Sequence, residues 1–357
     1  ATRGTSHYFH GLAIPMLPEA LSQSAALRPQ EDKNAVVCRL TISDEGDITT
    51  SSIQLAIVQS KAKLSYQEVE EVLTEGTEHE FAAPLKHLHD CYRALRTWRE
   101  SRELVIEHRP EHRWLLNENK QIDRIEEVHK KGSQLLVEEC MVAANRCIAQ
   151  ALKDAELPGP YVTHAGIRRD RAEEAKEFLT RFLPDKHALD FSTLDGFCTL
   201  INELNAASDE RPLRSMINRL MSRASFSVKP APHMGMALPV YTNGTSPLRK
   251  ALDFCVHLQL KAMLGDTQVK TAPATVFDLI NQASAKNRQA VTAANNWLSC
   301  NFLNTQNAHG QSDYEAEIVH INTSGFTVKL KDLGLEGTVD LRREEEKFSF
   351  DKWEMAL

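Results

Sequence analysis

The segment "YTNGTSPLRKALDFCVH", residues 241–257, joins a flexible stretch to the start of a helix. Ser246 is a residue type that caps helices, and Pro247 suits the first helical position because its missing N–H needs no partner there. These residues predict a helix over 247–264. Arg249 would then lie in the first turn, where the helix dipole favours an anion over a cation.

Two interpretations of Arg249 follow from this position. A guanidinium beside the free N–H groups of a helix start is typical of a phosphate-binding site. The alternative is that Arg249 only extends into solvent, as most arginines in a first turn do. The residues by themselves leave both interpretations open.

Hairpin and helix patterns alternate in the sequence before this segment. Residues 35–64 alternate in polarity and turn at 44–46, which predicts a hairpin, and a second hairpin pattern occupies 112–128. "SYQEVEEVLTEG" (65–76) has the serine start and glycine stop of a helix. Amphipathic or apolar patterns predict two further helices over 84–102 and 132–155.

The composition changes after the helical region. A second long helix is predicted over 275–303, and the polar residues 305–312 are typical of a linker. From Tyr314 onward the alternation is that of β-strands. The sequence therefore predicts a large mixed α/β unit followed by a small β unit.

Composition and motifs exclude several classes of function. The chain has 357 residues, 42% of them apolar and 25% charged, as in a soluble globular protein, and its net charge of −7 shows no overall basic surface. Seven cysteines without a CxxC pair are typical of reduced thiols in a cytoplasmic protein. No P-loop, GxGxxG, HExxH or GxSxG motif occurs. Spacing alone therefore indicates one candidate anion site and no catalytic centre.

Eight ordered blocks of the chain are similar to the ribonuclease II family, the RNB-domain 3′→5′ exoribonucleases. They are "GLAIPMLPEALS" (11–22), "VVCRLTISDEGDI" (36–48), "SKAKLSYQEV" (60–69), "RELVIEHRPEHRWLL" (102–116), "LVEECMVAANRC" (136–147), "TLDGFCTLINEL" (193–204), "PHMGMAL" (232–238) and "TSPLRK" (245–250). The last block is the most specific signature of the family.

The resemblance implies a fold and an activity. It implies an RNB-type mixed sheet with helices over 1–304, a linker over 305–313 and an incomplete OB-fold RNA-binding β-barrel over 314–357. The implied activity is hydrolysis of single-stranded RNA to 5′-monophosphates with Mg²⁺. A cytoplasmic monomer with RNA as its partner, and no membrane or protein partner, is expected.

The resemblance also implies roles for individual residues. Arg249 would be catalytic, stabilising the charge on the scissile phosphate, with Thr245 and Ser246 binding RNA beside it. Tyr66 would help to hold the RNA end and Glu138 would favour ribose over deoxyribose, so that both should line one recess with Arg249. The plainer alternatives are a half-buried aromatic at the end of a strand and a solvated helix residue. Phe326 is either a stacking face for a base or part of a β-barrel core.

Several positions depart from the family pattern. The family's metal-binding aspartates lie upstream of the first block, so the chain is expected to be a fragment that binds no Mg²⁺ alone and is inactive alone. Ile106, Gly244, Ala251 and Val291 stand where relatives carry other functional side chains. Three hypotheses follow: a metal-dependent exoribonuclease, a non-catalytic relative that keeps the RNA channel, and a decayed paralogue. An upstream aspartate cluster would favour the first.

Overall fold

Short antiparallel hairpins alternate with helices in the first half of the chain. The computed structural model describes residues 3–102, 111–207, 213–266, 273–310, 313–342, 348–354 and 356. The elements up to the longest buried helix are β1 (His7–Phe9), β2 (Leu12–Ile14), α1 (Glu19–Ala25), β3 (Asp32–Ile42), β4 (Ile48–Gln59), α2 (Tyr66–Glu75), α3 (Ala82–Ser101), β5 (Glu111–Leu116), β6 (Ile122–Val128) and α4 (Gly132–Asp154).

The second half is mainly helical and ends in a small sheet. Its elements are β7 (Tyr161–Thr163), α5 (Ala172–Phe182), α6 (Leu194–Ala206), α7 (Leu213–Asn218), β8 (Ser225–Ser227), α8 (Ala251–Met263), α9 (Ala274–Ala308), β9 (Ala316–Asn322), β10 (Gly325–Leu330) and β11 (Glu336–Asp340). Because α9 continues through Ala308, the start of the predicted linker is helical. No helix within the described ranges is long and apolar enough to cross a bilayer.

Local sequence signals account for several of these elements. The Ser65 side chain accepts from the N–H of Glu68 and the Glu68 carboxylate accepts from the N–H of Ser65, so α2 begins with a capping box and ends at Gly76 with φ of 68°. Asn117 Oδ1 accepts from the N–H groups of Asn119 and Gln121 in the β5–β6 turn. Both predictions are confirmed.

The β3–β4 turn also depends on a close contact with a helix. Gly46 has φ of +84°, and a Cβ at this position would collide with the Ala94 carbonyl of α3. Asp47, beside it, accepts a hydrogen bond of 2.6 Å from the indole N–H of Trp98 on α3. The hairpin therefore lies against α3 at the tip as well as along its strands.

The predicted large mixed sheet is not what the described residues form. Their strands pair as separate antiparallel sheets, namely β1–β2, β3–β4, β5–β6, β7–β8 and the three-stranded β11–β10–β9. The two strands of each hairpin satisfy N–H and C=O groups by pairing with each other, and helices then cover the apolar faces. The prediction of an α/β fold is confirmed at this coarser level, whereas the described strands form no closed barrel.

Helices supply most of the core. One buried cluster joins α5, α6 and α7 around Phe178, Phe197 and Ile217. A second joins α3, β7, α8 and α9 around Trp98 and Tyr241. Leu238 and Tyr241, which precede α8, lie in this second cluster and therefore pack against α3, β7, α8 and α9.

The C-terminal residues contact two different parts of the molecule. Leu335, next to β11, is buried against the β5–β6 hairpin and α9 in a cluster with Ile122, Leu298 and Phe302. Residues 348–354 instead reach α5, where Trp353 packs on Phe182 with ring centroids 5.9 Å apart. The three-stranded sheet is thus anchored by side chains and not by strand pairing to another sheet.

Candidate functional site

The "TSPLRK" block forms a turn that precedes α8. The N–H groups of Arg249 and Lys250 both donate to the carbonyl of Ser246, at 3.2 and 3.1 Å, and α8 begins only at Ala251. The prediction that Ser246 caps a helix starting at Pro247 is wrong. The Ser246 N–H donates to Asp253 Oδ2 at 2.8 Å, and the Ala251 N–H donates to the Gly4 carbonyl at 2.9 Å. Tertiary acceptors have replaced the local cap.

The N-terminal segment holds the backbone of Arg249. The Ser6 N–H and the Thr5 hydroxyl both donate to the Arg249 carbonyl, at 2.8 and 3.0 Å. Thr5 also forms an antiparallel bridge with Lys250. The backbone at Arg249 is therefore fixed, while its side chain is exposed.

Helix α4 holds the start of the same loop through one buried amide. Asn145 Oδ1 accepts from the Gly244 N–H at 2.9 Å, and Asn145 Nδ2 donates to the Tyr241 hydroxyl at 3.0 Å. Asn145 is 4% exposed, so neither bond competes much with water. Burial raises the pKa of Tyr241, and the charges of Asp253 and Glu138 add to the rise.

Two polar residues of helix α8, one turn apart, form hydrogen bonds with the loop before it. Asp253 accepts from Ser246, and His257 Nε2 lies 2.8 Å from the Gly244 carbonyl. Asp253 is fully buried, and burial raises its pKa. Its Oδ1 has no hydrogen-bond partner in the part of the chain that the structure describes.

Gly244 occupies a site with no room for a side chain. A Cβ there would lie 2.9 Å from Ile148 Cδ1 on α4 and 3.3 Å from Val256 Cγ1 on α8. Gly244 is buried, and Ile148 fills the space next to it. The backbone N–H and C=O of Gly244 are both bonded to side chains, namely those of Asn145 and His257.

Tyr66 and Glu138 lie on neighbouring helices. Tyr66 is the first residue of α2, not the end of a strand, and is 50% exposed. Its carbonyl accepts from the Ser133 hydroxyl on α4 at 2.9 Å. Glu138, further along α4, is half-buried and pairs with Lys130 at 3.2 Å.

The three predicted site residues are brought together only in part. Glu138 acts electrostatically on Tyr241, which shares Asn145 with the loop of Arg249. Among the described residues, no hydrogen bond or ion pair joins Arg249 to Tyr66 or Glu138. The resemblance implied that Arg249 lines a recess, whereas the Arg249 side chain is exposed.

The other predicted positions are more dispersed. Thr245 and Ser246 are half-buried in the loop itself. Phe326 is half-buried on β10, opposite Ile321 and Val339, in the separate C-terminal sheet. Among the departures, Ala251 is the first residue of α8, Val291 lies half-buried in α9, and Ile106 lies outside the described residues.

Sequence reasoning missed the side chains that hold the loop. Asn145, Asp253 and His257 are polar residues within predicted helices that are otherwise mostly apolar at neighbouring positions. Polar residues on a buried helix face need partners, and that signal was available in the sequence. Which backbone groups they would meet depended on how α4 and α8 pack.

The described residues do not fit a metal centre. They contain no group of three or more His, Cys, Asp or Glu side chains that could hold an ion. The two buried carboxylates among the described residues are engaged otherwise: Asp253 accepts from Ser246, and Glu139 lies 2.8 Å from Arg99 Nη1. No chemical step is therefore assigned to a metal held by these residues.

Sequence comparisons identify a protein family and several relatives of this chain. The RNB domain family model matches residues 1–266. Exoribonuclease 2 of Yersinia pseudotuberculosis is 35% identical over 343 residues, and Exoribonuclease 2 of Baumannia cicadellinicola is 31% identical over 339 residues. Each alignment covers 93% of this chain and 52% of the relative. The chain thus spans about half the length of the curated relatives it matches.

Solved structures share the fold at lower identity. Mycoplasma genitalium RNase R in complex with ribose methylated single-stranded RNA has a TM-score of 0.83 and 22% identity, over 99% of this chain and 57% of that one. Yeast Ssd1, a pseudonuclease, has a TM-score of 0.67 and 18% identity, over 95% of this chain and 43% of that one. With the family model matching most of its length, this chain belongs to the RNB-domain family.

Proposed function

We propose that this protein is a 3′→5′ exoribonuclease that hydrolyses single-stranded RNA to 5′-monophosphates, with Arg249 beside the scissile phosphate. The observation that carries the proposal is the fixed loop from Gly244 to Arg249. Its backbone is bonded to α4, α8 and the N-terminal segment, while the Arg249 guanidinium is exposed. The two relatives named Exoribonuclease 2, at 31–35% identity, support the same activity.

The fixed backbone suits the chemistry of phosphoryl transfer. Charge builds on the phosphate oxygens as the bond breaks, and a donor placed in advance stabilises that charge without reorganising. Arginine provides a planar fork that matches two phosphate oxygens. A rigid loop with an exposed guanidinium therefore supports a role in the transition state.

Further roles are proposed for the neighbouring residues. The exposed Tyr66 ring offers a stacking face for the RNA end, and Glu138 accepts from a 2′-hydroxyl that DNA lacks. Thr245 and Ser246 supply hydroxyl groups beside Arg249, and Phe326 supplies a ring on the C-terminal sheet. We further propose a ribonuclease domain over 1–304, a linker over 305–313 and an incomplete OB-fold over 314–357, supported by the antiparallel order β11–β10–β9.

The remaining expectations rest on the family. Mg²⁺ is proposed for the full-length gene product, with no ligand assigned to the described residues. A cytoplasmic monomer with single-stranded RNA as its substrate is proposed as well.

A non-catalytic RNA-binding protein is the second candidate. It is favoured by the lack of a metal-ligand group among the described residues and by the shared fold with Ssd1, a pseudonuclease. In this case Arg249 would bind a phosphate in the ground state and would contribute to affinity alone.

The test uses a 5′-labelled single-stranded RNA with Mg²⁺, applied to this chain and to the full-length gene product. We expect this chain to bind without cleaving and the full-length product to shorten the RNA from its 3′ end. In the latter, Arg249→Ala should lower turnover by roughly 100-fold or more with a smaller change in affinity. Arg249→Lys keeps the positive charge but not the planar fork of donors. Its turnover should lie between that of the wild type and that of Arg249→Ala.

Each other outcome decides against a candidate. Binding without cleavage by the full-length product supports the non-catalytic protein, and Arg249→Ala should then reduce the salt dependence of binding by about one phosphate contact. If neither protein binds or cleaves RNA, both candidates are wrong and the decayed paralogue remains.

A further inference from the structure

Two cysteines lie side by side where the β3–β4 hairpin packs on α4. Cys38 is in the middle of β3 and is half-buried, whereas Cys147 on α4 is 7% exposed. Both are free thiols, and a side-chain hydrogen bond joins them. Two thiols that are distant in the sequence are therefore brought into contact by the packing of a strand on a helix.

The register of the hairpin fixes this contact. Cys38 lies opposite Ile53 on β4. Because side chains alternate along a strand, Val36, Cys38 and Ile53 share one face of the hairpin. Val36 and Ile53 pack against the buried cluster that contains Ile148. Cys147 is the residue before Ile148 on α4, so the face that covers this cluster also carries the Cys38 thiol to Cys147.

The environment makes the two thiols chemically unequal. The hydrogen bond from Cys38 lowers the pKa of Cys147 to about 7 against the effect of burial, and the Ser51 side chain and the charge of Arg146 act in the same direction. The same contact with Cys147, together with burial, raises the pKa of Cys38. Cys147 is therefore the thiolate and Cys38 the thiol that donates to it. The thiolate is the nucleophilic form of cysteine.

The pair lies at the edge of the core and not at its centre. Ser51, which bonds to the Cys147 sulfur, is an exposed residue, and Cys38 is half-buried. A small neutral oxidant such as hydrogen peroxide is close to water in size and can reach a sulfur in this position. Cys255 on α8 is different, because it is buried and burial raises the pKa of its thiol. That environment is typical of an inert structural cysteine.

We propose that Cys38 and Cys147 form a peroxide-sensitive pair that is oxidised reversibly to a disulfide between β3 and α4. The Cys147 thiolate attacks one oxygen of hydrogen peroxide, an S–O bond forms as the O–O bond breaks, and the leaving hydroxide takes up a proton to become water. The Cys38 sulfur then attacks the Cys147 sulfur. An S–S bond forms as the S–O bond breaks, and the hydroxyl group leaves with the Cys38 proton as a second water. The two sulfurs lose two electrons and peroxide gains them, and a dithiol reductant reverses the change by becoming a disulfide itself.

The disulfide would form beside the residues of α4 that hold the candidate site. Asn145 bonds to the Gly244 N–H, and Ile148 fills the space next to Gly244. Both residues flank Cys147 on α4. Oxidation therefore fastens the β3–β4 hairpin to the helix segment behind the Arg249 loop. The inference concerns the two thiols alone and does not depend on the proposed function.

The test is peptide mapping of this chain after a brief treatment with a small molar excess of hydrogen peroxide. Remaining thiols are alkylated with N-ethylmaleimide in urea, and the protein is digested with trypsin without reduction. The expected product is NAVVCR (34–39) joined to CIAQALK (147–153), with a mass two hydrogens below the sum of the two peptides. Dithiothreitol added after the peroxide should restore both peptides as alkylated monomers.

Single serine variants separate the two steps. Cys38→Ser removes the second thiol, so the cross-linked peptide should be lost and dimedone should label Cys147 as a sulfenic acid. Cys147→Ser should abolish both the cross-link and the label. Cys300→Ser, at an exposed position of α9, is the matched control and should leave the yield of the cross-linked peptide unchanged.

The remaining outcomes decide against the pair. It is wrong if peptides 34–39 and 147–153 are both recovered alkylated under conditions that oxidise the exposed Cys300. It is also wrong if dimedone labels Cys147 in Cys38→Ser no more than it labels the buried Cys255. Because Cys38 is half-buried, Cys38→Ser tests the pair even if the Cys147 variant fails to fold. RNA is absent from this experiment, so a negative result leaves the proposed function as it stands.

Discussion

His257 donates its Nε2 proton to the carbonyl oxygen of Gly244 at a distance of 2.8 Å. A carbonyl can only accept, so this contact requires the proton to be on Nε2. The bond joins α8 to the loop that carries Arg249. Together with Asn145 and Asp253, it makes the loop conformation a property of helix packing.

The contact between Asp253 and Ser246 should be measurable as stability. Asp253→Ala leaves the Ser246 N–H without its acceptor in a buried place, and we expect a loss of about 1–3 kcal/mol in the free energy of unfolding. Asp253→Asn, the matched control, keeps an acceptor oxygen and the volume and should lie closer to the wild type. Urea unfolding of the three proteins is the measurement. An alanine variant as stable as the wild type would contradict the role of this bond.

The stacked pair His164 and His233 should make stability depend on pH. Burial, with a further contribution from the charge of His164, lowers the pKa of His233 to about 4 from an ordinary value of 6.5. The folded state thus binds the proton less tightly than the unfolded state does. The stabilisation is complete above pH 6.5 and is lost as the pH falls towards 4, by at most about 3 kcal/mol.

Replacing this histidine tests the assignment. His233→Phe keeps a ring against Tyr241 and removes the titrating group, so stability should fall less steeply between pH 6.5 and 4 than in the wild type. His87→Gln, at an exposed position of α3, is the control and should keep the wild-type slope. Denaturant unfolding at several pH values measures both, and identical slopes for His233→Phe and the wild type would refute the prediction.

The space beside Gly244 predicts a compensating pair of substitutions. Gly244→Ala brings a Cβ to 2.9 Å from Ile148 Cδ1, and we expect a loss of about 1–3 kcal/mol in stability. Ile148→Val removes that Cδ1 atom. The double variant should therefore be more stable than the sum of the single losses predicts, by at least about 0.5 kcal/mol. Strict additivity would show that Ile148 does not limit this position.

Magnesium binding gives a fourth prediction. The described residues hold no metal-ligand group, and Asp253 and Glu139 are engaged with protein partners. We therefore expect calorimetric titration of this chain with Mg²⁺ or Mn²⁺ to show only weak binding, as on a generic acidic surface. A tight site of defined stoichiometry would contradict this expectation.

The sequence by itself determined the elements whose stabilising contacts are local. The capping box of Ser65 and Glu68, the glycine end of α2 and the Asn117 turn each satisfy backbone groups within a few residues. Such contacts form whatever the rest of the chain does, so pattern and residue type suffice to predict them. The resemblance to the RNB family could also be found from the sequence, because it rests on ordered blocks of residues.

Only the tertiary structure decided how the candidate site is built. A serine before a proline predicted a helix start at Pro247, but the N–H of Ser246 donates to Asp253 and the N–H of Ala251 donates to the Gly4 carbonyl, and α8 begins at Ala251. The positions of Asn145 and Arg146 depend likewise on how α4 packs against the loop and α3. Buried polar groups take whichever partner packing brings nearest, and residues far apart in the sequence supply those partners.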